Sequence, residues 1–242
     1  VSRAASAVRL PLTRAPWAAT AYLGSYLALG PALFVATVVV VAVACVLSIS
    51  WLGFPLLVGA AGIVRGCADI ERWRTRLVAE PITGGYLAVG DAGVFTQLRV
   101  RWTDPATRRD CGYLMALMPA LLLLDAATML LWLTLLAGIT VPLWFWTIPQ
   151  TWPDGRTEHG LHIAPLGIWL GDLPSALVFA AVCVVLAAAA SHLVVAVAAL
   201  HARVARALLG PATDPLAAAK RVLAEPGPLP PWRLDQRISR ST

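Results

Sequence analysis

Charge is what this chain has least of. Asp, Glu, Lys and Arg make up 13% of its 242 residues, against about 25% in a typical soluble domain. Too few polar side chains remain to coat a globular surface, which excludes a soluble enzyme. Lysine is nearly missing: of 19 Lys and Arg residues, Lys220 is the one lysine. That bias, with abundant alanine, follows high-GC coding, so no nucleic-acid partner is read from the arginines. The four cysteines, Cys45, Cys67, Cys111 and Cys183, lie in or beside apolar segments without paired spacing, which argues for core packing and against a disulfide framework. Enzyme motifs are missing too: there is no G-x-x-x-x-G-K-[ST] phosphate cradle, no nucleophile elbow, no H-E-x-x-H and no Cys-x-x-Cys, and Gly84-Gly85 is only a turn signal. No cofactor is expected. The start has no short apolar segment with a small-residue cleavage site, so no removable signal peptide is read. Val1 in place of Met indicates a non-Met start codon or a clipped fragment.

What the chain does have is long apolar runs. No charged side chain occurs between Trp17 and Val64, whereas a bilayer crossing needs about 20 residues. Residues 31–50 read as span one. The chain must turn near Ser48 to Gly53 and return as span two, about 52–70, continuing as a basic helix until Pro81 stops it. Residues 81–104 contain no span; Val94, Phe95, Leu98 and Trp102 fall near helical spacing, which suits either an interfacial helix or an ordinary basic loop. Asp104-Pro105 is a cap followed by a first-turn proline, opening an amphipathic segment over 105–118. Span three covers about 119–145 and ends in the aromatic cluster Trp144-Phe145-Trp146, suited to the headgroup level. Residues 147–172 form a polar loop. Span four covers about 173–200, and a basic helical continuation from His201 stops at Gly210-Pro211.

Arginine placement orients these spans. Eight arginines lie between Arg65 and Arg109, the two terminal segments are also basic, the first hairpin turn has none, and the 147–172 loop has only Arg156. Both termini and the central region are therefore expected in the cytoplasm of a multi-pass cell-membrane protein. The expected fold is an all-α polytopic membrane helical bundle of four transmembrane helices. Its expected parts are a cytoplasmic N-terminal tail (1–16), a four-span membrane domain (17–211) and a flexible cytoplasmic tail (212–242).

A two-fold internal repeat is suggested by Ala28-Leu29-Gly30-Pro31-Ala32-Leu33 recurring as Ala116-Leu117-Met118-Pro119-Ala120-Leu121. At one other offset, Ile70-Glu71, Arg76 and Pro81 align with Leu200-His201, Arg206 and Pro211. Each half would comprise a surface helix, a proline bend, two spans and a basic helix. Chance similarity between alanine-leucine segments is the competing account.

Asp125 is the one carboxylate inside an apolar run, and His192 the one imidazole inside span four. Ionisable groups there are costly and are functional candidates by default. Their depths match, near the inner interface, so they could pair, relay a proton or hydrate among headgroups. In the 147–172 loop, Asp154, Glu158, His159 and His162 carry metal-ligand chemistry, but their spacing matches no zinc signature and no metal is assigned. Trp152 and Trp169 flank that loop and suit either an apolar ligand pocket or belt anchoring. Trp152, His159, His162 and Trp169 are the candidate sensing residues, and His201, Arg203 and Arg206 the candidate output residues. Asp104 and Asp110, flanking Arg108 and Arg109, suit capping or ion pairing better than acid–base catalysis.

Several short motifs, in order, resemble a known family. They are Asp104-Pro105-Ala106-Thr107-Arg108-Arg109-Asp110, Tyr113-Leu114, Pro119, Val141-Pro142-Leu143-Trp144-Phe145-Trp146, Trp169 with Asp172-Leu173-Pro174-Ser175-Ala176-Leu177, and Leu200-His201 through Gly210-Pro211. Together they are similar to the sensor domain at the N-terminus of many histidine kinases of high-GC bacteria, over roughly residues 17–211. The resemblance implies a sensor domain acting in two-component signal transduction, with a histidine kinase or response regulator as partner. That family often has an aromatic residue where Arg108 stands. The 31 residues after Pro211 carry neither a phosphoacceptor-histidine helix nor an ATP-binding domain, and His201 lacks the neighbours of a phosphoacceptor box, so no kinase activity is carried over.

The expectation is a non-catalytic membrane signal-input module, stand-alone or severed from a kinase, acting in the lipid bilayer as a homodimer. Alternatives are a small transporter or channel subunit with an Asp125/His192 polar relay, and a membrane organiser that binds anionic lipid through the arginines of 65–109.

Overall fold

Among the described residues, four helices are long and apolar enough to cross a membrane: Arg14–Leu47, Gly53–Leu77, Pro105–Leu143 and Leu173–Leu209. The structure is a computed structural model that describes residues 10–49, 53–87, 93–164 and 167–211. Its contacts divide the chain into Val1–Gly210 and Pro211–Thr242. The second unit apart from Pro211, and with it the expected tail 212–242, lies outside the described residues, as do 1–9.

Helix α1, Arg14–Leu47, begins where the Thr13 side chain accepts from the Ala15 amide and continues through Pro31. The surface helix and proline bend expected ahead of span one are therefore a single helix. Its buried residues Ala19, Tyr22, Tyr26, Gly30, Leu33 and Thr37 recur at intervals of three or four, the spacing that keeps side chains on one helical face. Helix α2, Gly53–Arg74, ends in one 3-10 turn at Thr75–Leu77, short of Pro81.

Helix α3, Val94–Thr103, packs against α2. The Phe95 ring lies 5.0 Å from that of Phe54, and Trp102 Nε1 donates to the Leu57 carbonyl at 2.9 Å. Part of the stripe that suited either an interfacial helix or a basic loop is thus turned onto α2. Helix α4, Pro105–Cys111, is capped as the sequence indicated, Asp104 accepting from the Ala106 amide at 2.9 Å.

A π-helical segment, Gly112–Leu117, joins α4 to helix α5, Met118–Thr140. Pro119 cannot donate to the Met115 carbonyl, and a proline ring crowds the carbonyl four residues back. The wider π turn ahead of it relieves that crowding.

Helix α6, Leu173–Leu209, is capped by the Asp172 side chain on the Ser175 amide. Its 37 residues extend about 55 Å, well beyond the ~30 Å of a bilayer's hydrocarbon. Between Leu173 and Val194, α6 buries Ala176, Ala180, Cys183, Ala187, Ala190, Ser191 and Val194. Small residues at that spacing let two backbones approach, the means of helix association where lipid removes the hydrophobic driving force. Met129 and Trp132 of α5 pack with Ala187, Ala190 and Val194. Gly138 of α5 sits where an added Cβ would lie 2.5 Å from Cys183 Sγ.

The polar loop expected between spans three and four contains two short antiparallel hairpins. Strands β1, Pro149–Thr151, and β2, Thr157–His159, pair in one; β3, Leu161–Ile163, and β4, Ile168–Leu170, pair in the other. Gly155 (φ 82°) and Gly167 (φ 63°) occupy the left-handed positions in the two turns, which glycine enters without steric cost. Leu170 buries against Val141, Phe145 and Ala176, seating the second hairpin on the ends of α5 and α6.

Candidate functional site

The far end of the bundle from the hairpins holds a buried chain of ionisable side chains. His201 of α6 places Nδ1 2.8 Å from Asp125 Oδ2 of α5 and Nε2 2.9 Å from the Tyr113 hydroxyl in the π segment. That hydroxyl is 3.4 Å from Glu71 Oε2 of α2, and Glu71 accepts from Arg74 Nη1 at 2.6 Å. Arg74 also donates to the Tyr22 carbonyl at 2.6 Å and the Ser25 hydroxyl at 3.0 Å of α1. All five linked residues, Asp125, His201, Tyr113, Glu71 and Arg74, are 0–1% exposed, so the network ties all four long helices together out of contact with solvent.

Aromatic rings line this chain. Tyr22 and Tyr26 meet the His201 ring edge-on at 5.2 and 4.5 Å, and the Arg74 guanidinium lies over both tyrosine rings at 4.7 and 4.9 Å. The two ring nitrogens of His201 bridge Asp125 and Tyr113, while Tyr113 and Arg74 both donate to Glu71. Asp125 Oδ1 and Glu71 Oε1 are buried without a protein partner, so the cluster keeps acceptor capacity beyond its internal bonds.

Beside it, Arg72 of α2 forms a second junction. It donates to the Leu209 carbonyl at 2.9 Å, to Asp69 at 2.7 Å, to the Tyr86 hydroxyl at 2.6 Å and to Asp110 at 2.8 Å. Tyr86 donates to the other Asp110 oxygen at 2.6 Å. Burial and the neighbouring Asp110 carboxylate push the Tyr86 phenol well above its ordinary range. Arg65 covers the Tyr86 ring at 4.3 Å and pairs with Asp104 at 3.0 Å, so Asp104 and Asp110 serve capping and ion pairing, the roles their sequence context favoured.

The Asp125/His192 pair does not form. His192 lies nine residues from His201, half a turn out of phase on a helix of 3.6 residues per turn, and is exposed. His201 is correspondingly removed from the exposed output set and becomes the buried partner of Asp125. Arg203 and Arg206 are exposed, and Arg206 donates to the Glu80 carbonyl at 3.0 Å. Sequence reasoning missed Glu71, Arg72, Arg74, Tyr113 and Tyr22.

At the hairpin end, Trp152, His162 and Trp169 cluster. The Trp152 ring lies 5.6 Å from His162 and 5.3 Å from Trp169, and His162 and Trp169 face one another in register. His159 stands apart, its Nδ1 on the Trp146 carbonyl at 3.1 Å, and Asp154 is taken by Arg156 at 2.6 Å. Among the described residues no three His, Cys, Asp or Glu side chains group to hold a metal. Beneath the second hairpin is an apolar cleft of about 890 Å³, walled by Ala137 and Gly138 of α5, Ile163 and Trp169 of the hairpin, and Val178, Phe179 and Val182 of α6.

The described residues thus form four helices of membrane-spanning length, with a buried network of ionisable side chains at one end and a roofed apolar cleft at the other. The chain belongs to the family described as "Putative sensor", whose model matches residues 22–209. Comparison with curated proteins and with solved structures finds no match.

Proposed function

We propose that this protein is a multi-pass integral membrane signal-input module without a catalytic centre of its own. In this reading the hairpins face outward from the cell membrane, and both termini and the arginine-rich end lie in the cytoplasm. The module receives a stimulus at the hairpin end and passes it to a histidine kinase or response regulator. The arginine distribution supports the orientation.

One observation carries the reading: α5 and α6 wall the apolar cleft at one end and meet through Asp125 and His201 at the other. Anything that alters their spacing in the cleft acts through the same two helices on the buried Asp125–His201 hydrogen bond. A signalling shift needs two packings that differ by only a few kcal/mol, and one rearranged buried hydrogen bond to a charged group is worth about 1.5–3 kcal/mol.

Photo-crosslinkers at Arg203 and Arg206 in the native host test the output side. The expected result is capture of a histidine kinase or response regulator, with its phosphorylation altered by Asp125→Asn. Solute flux in proteoliposomes that vanishes in Asp125→Asn, with no signalling protein captured, would overturn the proposal for the transporter reading. That reading has lost its drawn relay, since His192 lies on the opposite face.

A further inference from the structure

We infer that the cleft between α5 and α6 is a binding site for one hydrocarbon chain of a bilayer lipid from the hairpin-side leaflet. The inference rests on the membrane reading above and gives that site its ligand class. Three observations meet here.

The first is dimension. The α6 wall runs from Pro174 to Leu186, twelve residues or about 18 Å, close to the ~15 Å depth of a single leaflet, half of a ~30 Å hydrocarbon core. The volume of about 890 Å³ falls within the ~300–1,000 Å³ of ligand pockets.

The second is continuity. Val178, Val182 and Leu186 wall the cleft while also being exposed on the outside of α6, so the cleft opens onto the surface that lipid covers. An apolar cavity does not retain water, and a gap that opens on hydrocarbon fills with hydrocarbon.

The third is the roof. Trp169 lines the cleft and meets Trp152 edge-on at 5.3 Å in the aromatic cluster above it. Trp144, another wall residue, donates its indole N–H to Thr140 at 3.0 Å. Indoles with one apolar and one polar edge suit the headgroup level, which sets the chain below and the polar end of the same lipid beside Trp152 and His162.

The test uses the full chain in nanodiscs containing a phosphatidylglycerol with a diazirine in mid acyl chain, with adducts mapped by mass spectrometry. Val178 and Val182 should be labelled about tenfold more than Val184, which lies about a third of a turn away from Val178 around α6 and is also exposed, the enrichment of a site favoured by ~1.4 kcal/mol. Ala137→Phe, which fills the cleft, should abolish the enrichment while leaving Val184 labelling unchanged; Ala137→Leu, a milder filling, should reduce it. Equal labelling of Val182 and Val184, unmoved by Ala137→Phe, would show only annular lipid and overturn the inference. Enrichment seen only when a diazirine fatty acid is added from the aqueous phase would overturn the lipid source. Failure of the sensor reading is separable: no kinase or regulator would be captured at Arg203 or Arg206 although the cleft labels, whereas absence of any label on the four helices would sink the membrane reading itself.

Discussion

His201 Nδ1 lies 2.8 Å from Asp125 Oδ2, across 76 residues of sequence, with both side chains fully buried. Removing one member of such a pair strands the other in a low-dielectric interior, at a cost of about 3–5 kcal/mol. Asp125→Ala should therefore lower stability by about that amount, measured by unfolding in detergent. Replacing both residues with apolar ones of similar volume, Asp125→Leu with His201→Met, should recover most of the loss. Additive losses would show that the two side chains are not coupled.

Arg72 spreads its guanidinium over Leu209, Asp69, Tyr86 and Asp110. A lysine keeps the charge but not the planar fork. Arg72→Lys should accelerate amide hydrogen exchange over the last turn of α6 while leaving exchange near Leu173 unchanged. Uniform acceleration along the whole helix would mean that the arginine supports the fold generally and does not anchor that end.

Gly138→Ala places a methyl 2.5 Å from Cys183 Sγ. Overpacking of this kind costs about 1–3 kcal/mol, and Cys183→Ala on the facing helix should restore most of it. Thermal melts of the single and double variants decide the matter, since a rescue requires that the two helices touch there.

The two ends of the molecule should respond to pH with opposite sign. The Ser175 hydroxyl and amide hold the Asp172 carboxylate below its ordinary range, so its contribution is present above pH ~4, the unfolded value, and is lost as pH falls below it. The raised Tyr86 phenol contributes fully below pH ~10, the ordinary tyrosine value, and loses that contribution as pH rises further. Asp172→Asn should flatten the acid limb of a stability–pH curve and Tyr86→Phe the alkaline limb. A Tyr86 that ionises with the free phenols in an absorbance titration would refute the second half.

Much of the fold was legible because apolar run length reports helices of spanning length directly, and a charge-free tract from Trp17 to Val64 admits no other reading. Asp125 stood out for the same reason. Its partner did not, because His192 and His201 were separated by where the membrane was expected to end, near Leu200. A signal was available: Ala187, Ala190, Val194, Val197, Ala198, Ala202 and Ala205 continue one buried helical stripe past that limit, with His201 on it. Glu71, Arg72 and Arg74 were read as a solvated basic end because charge density alone cannot distinguish exposed arginines from arginines paired inside a bundle. Tyr113 was hidden by the π segment, which shifts the face that an α-helical count assigns to it. The hairpins escaped notice because their strands are only three residues long, too short for alternation to register.

Helix α6 has neither glycine nor proline from Ser175 to Leu209, so it lacks the usual points of compliance and works as a stiff lever. Over its length of about 55 Å, a tilt of about five degrees at the hairpin end becomes a sweep of about 5 Å at the other, close to one helical turn. Mechanical gain is thereby built into a single element, with the Arg72 contact to the Leu209 carbonyl as the catch that such a swing must release.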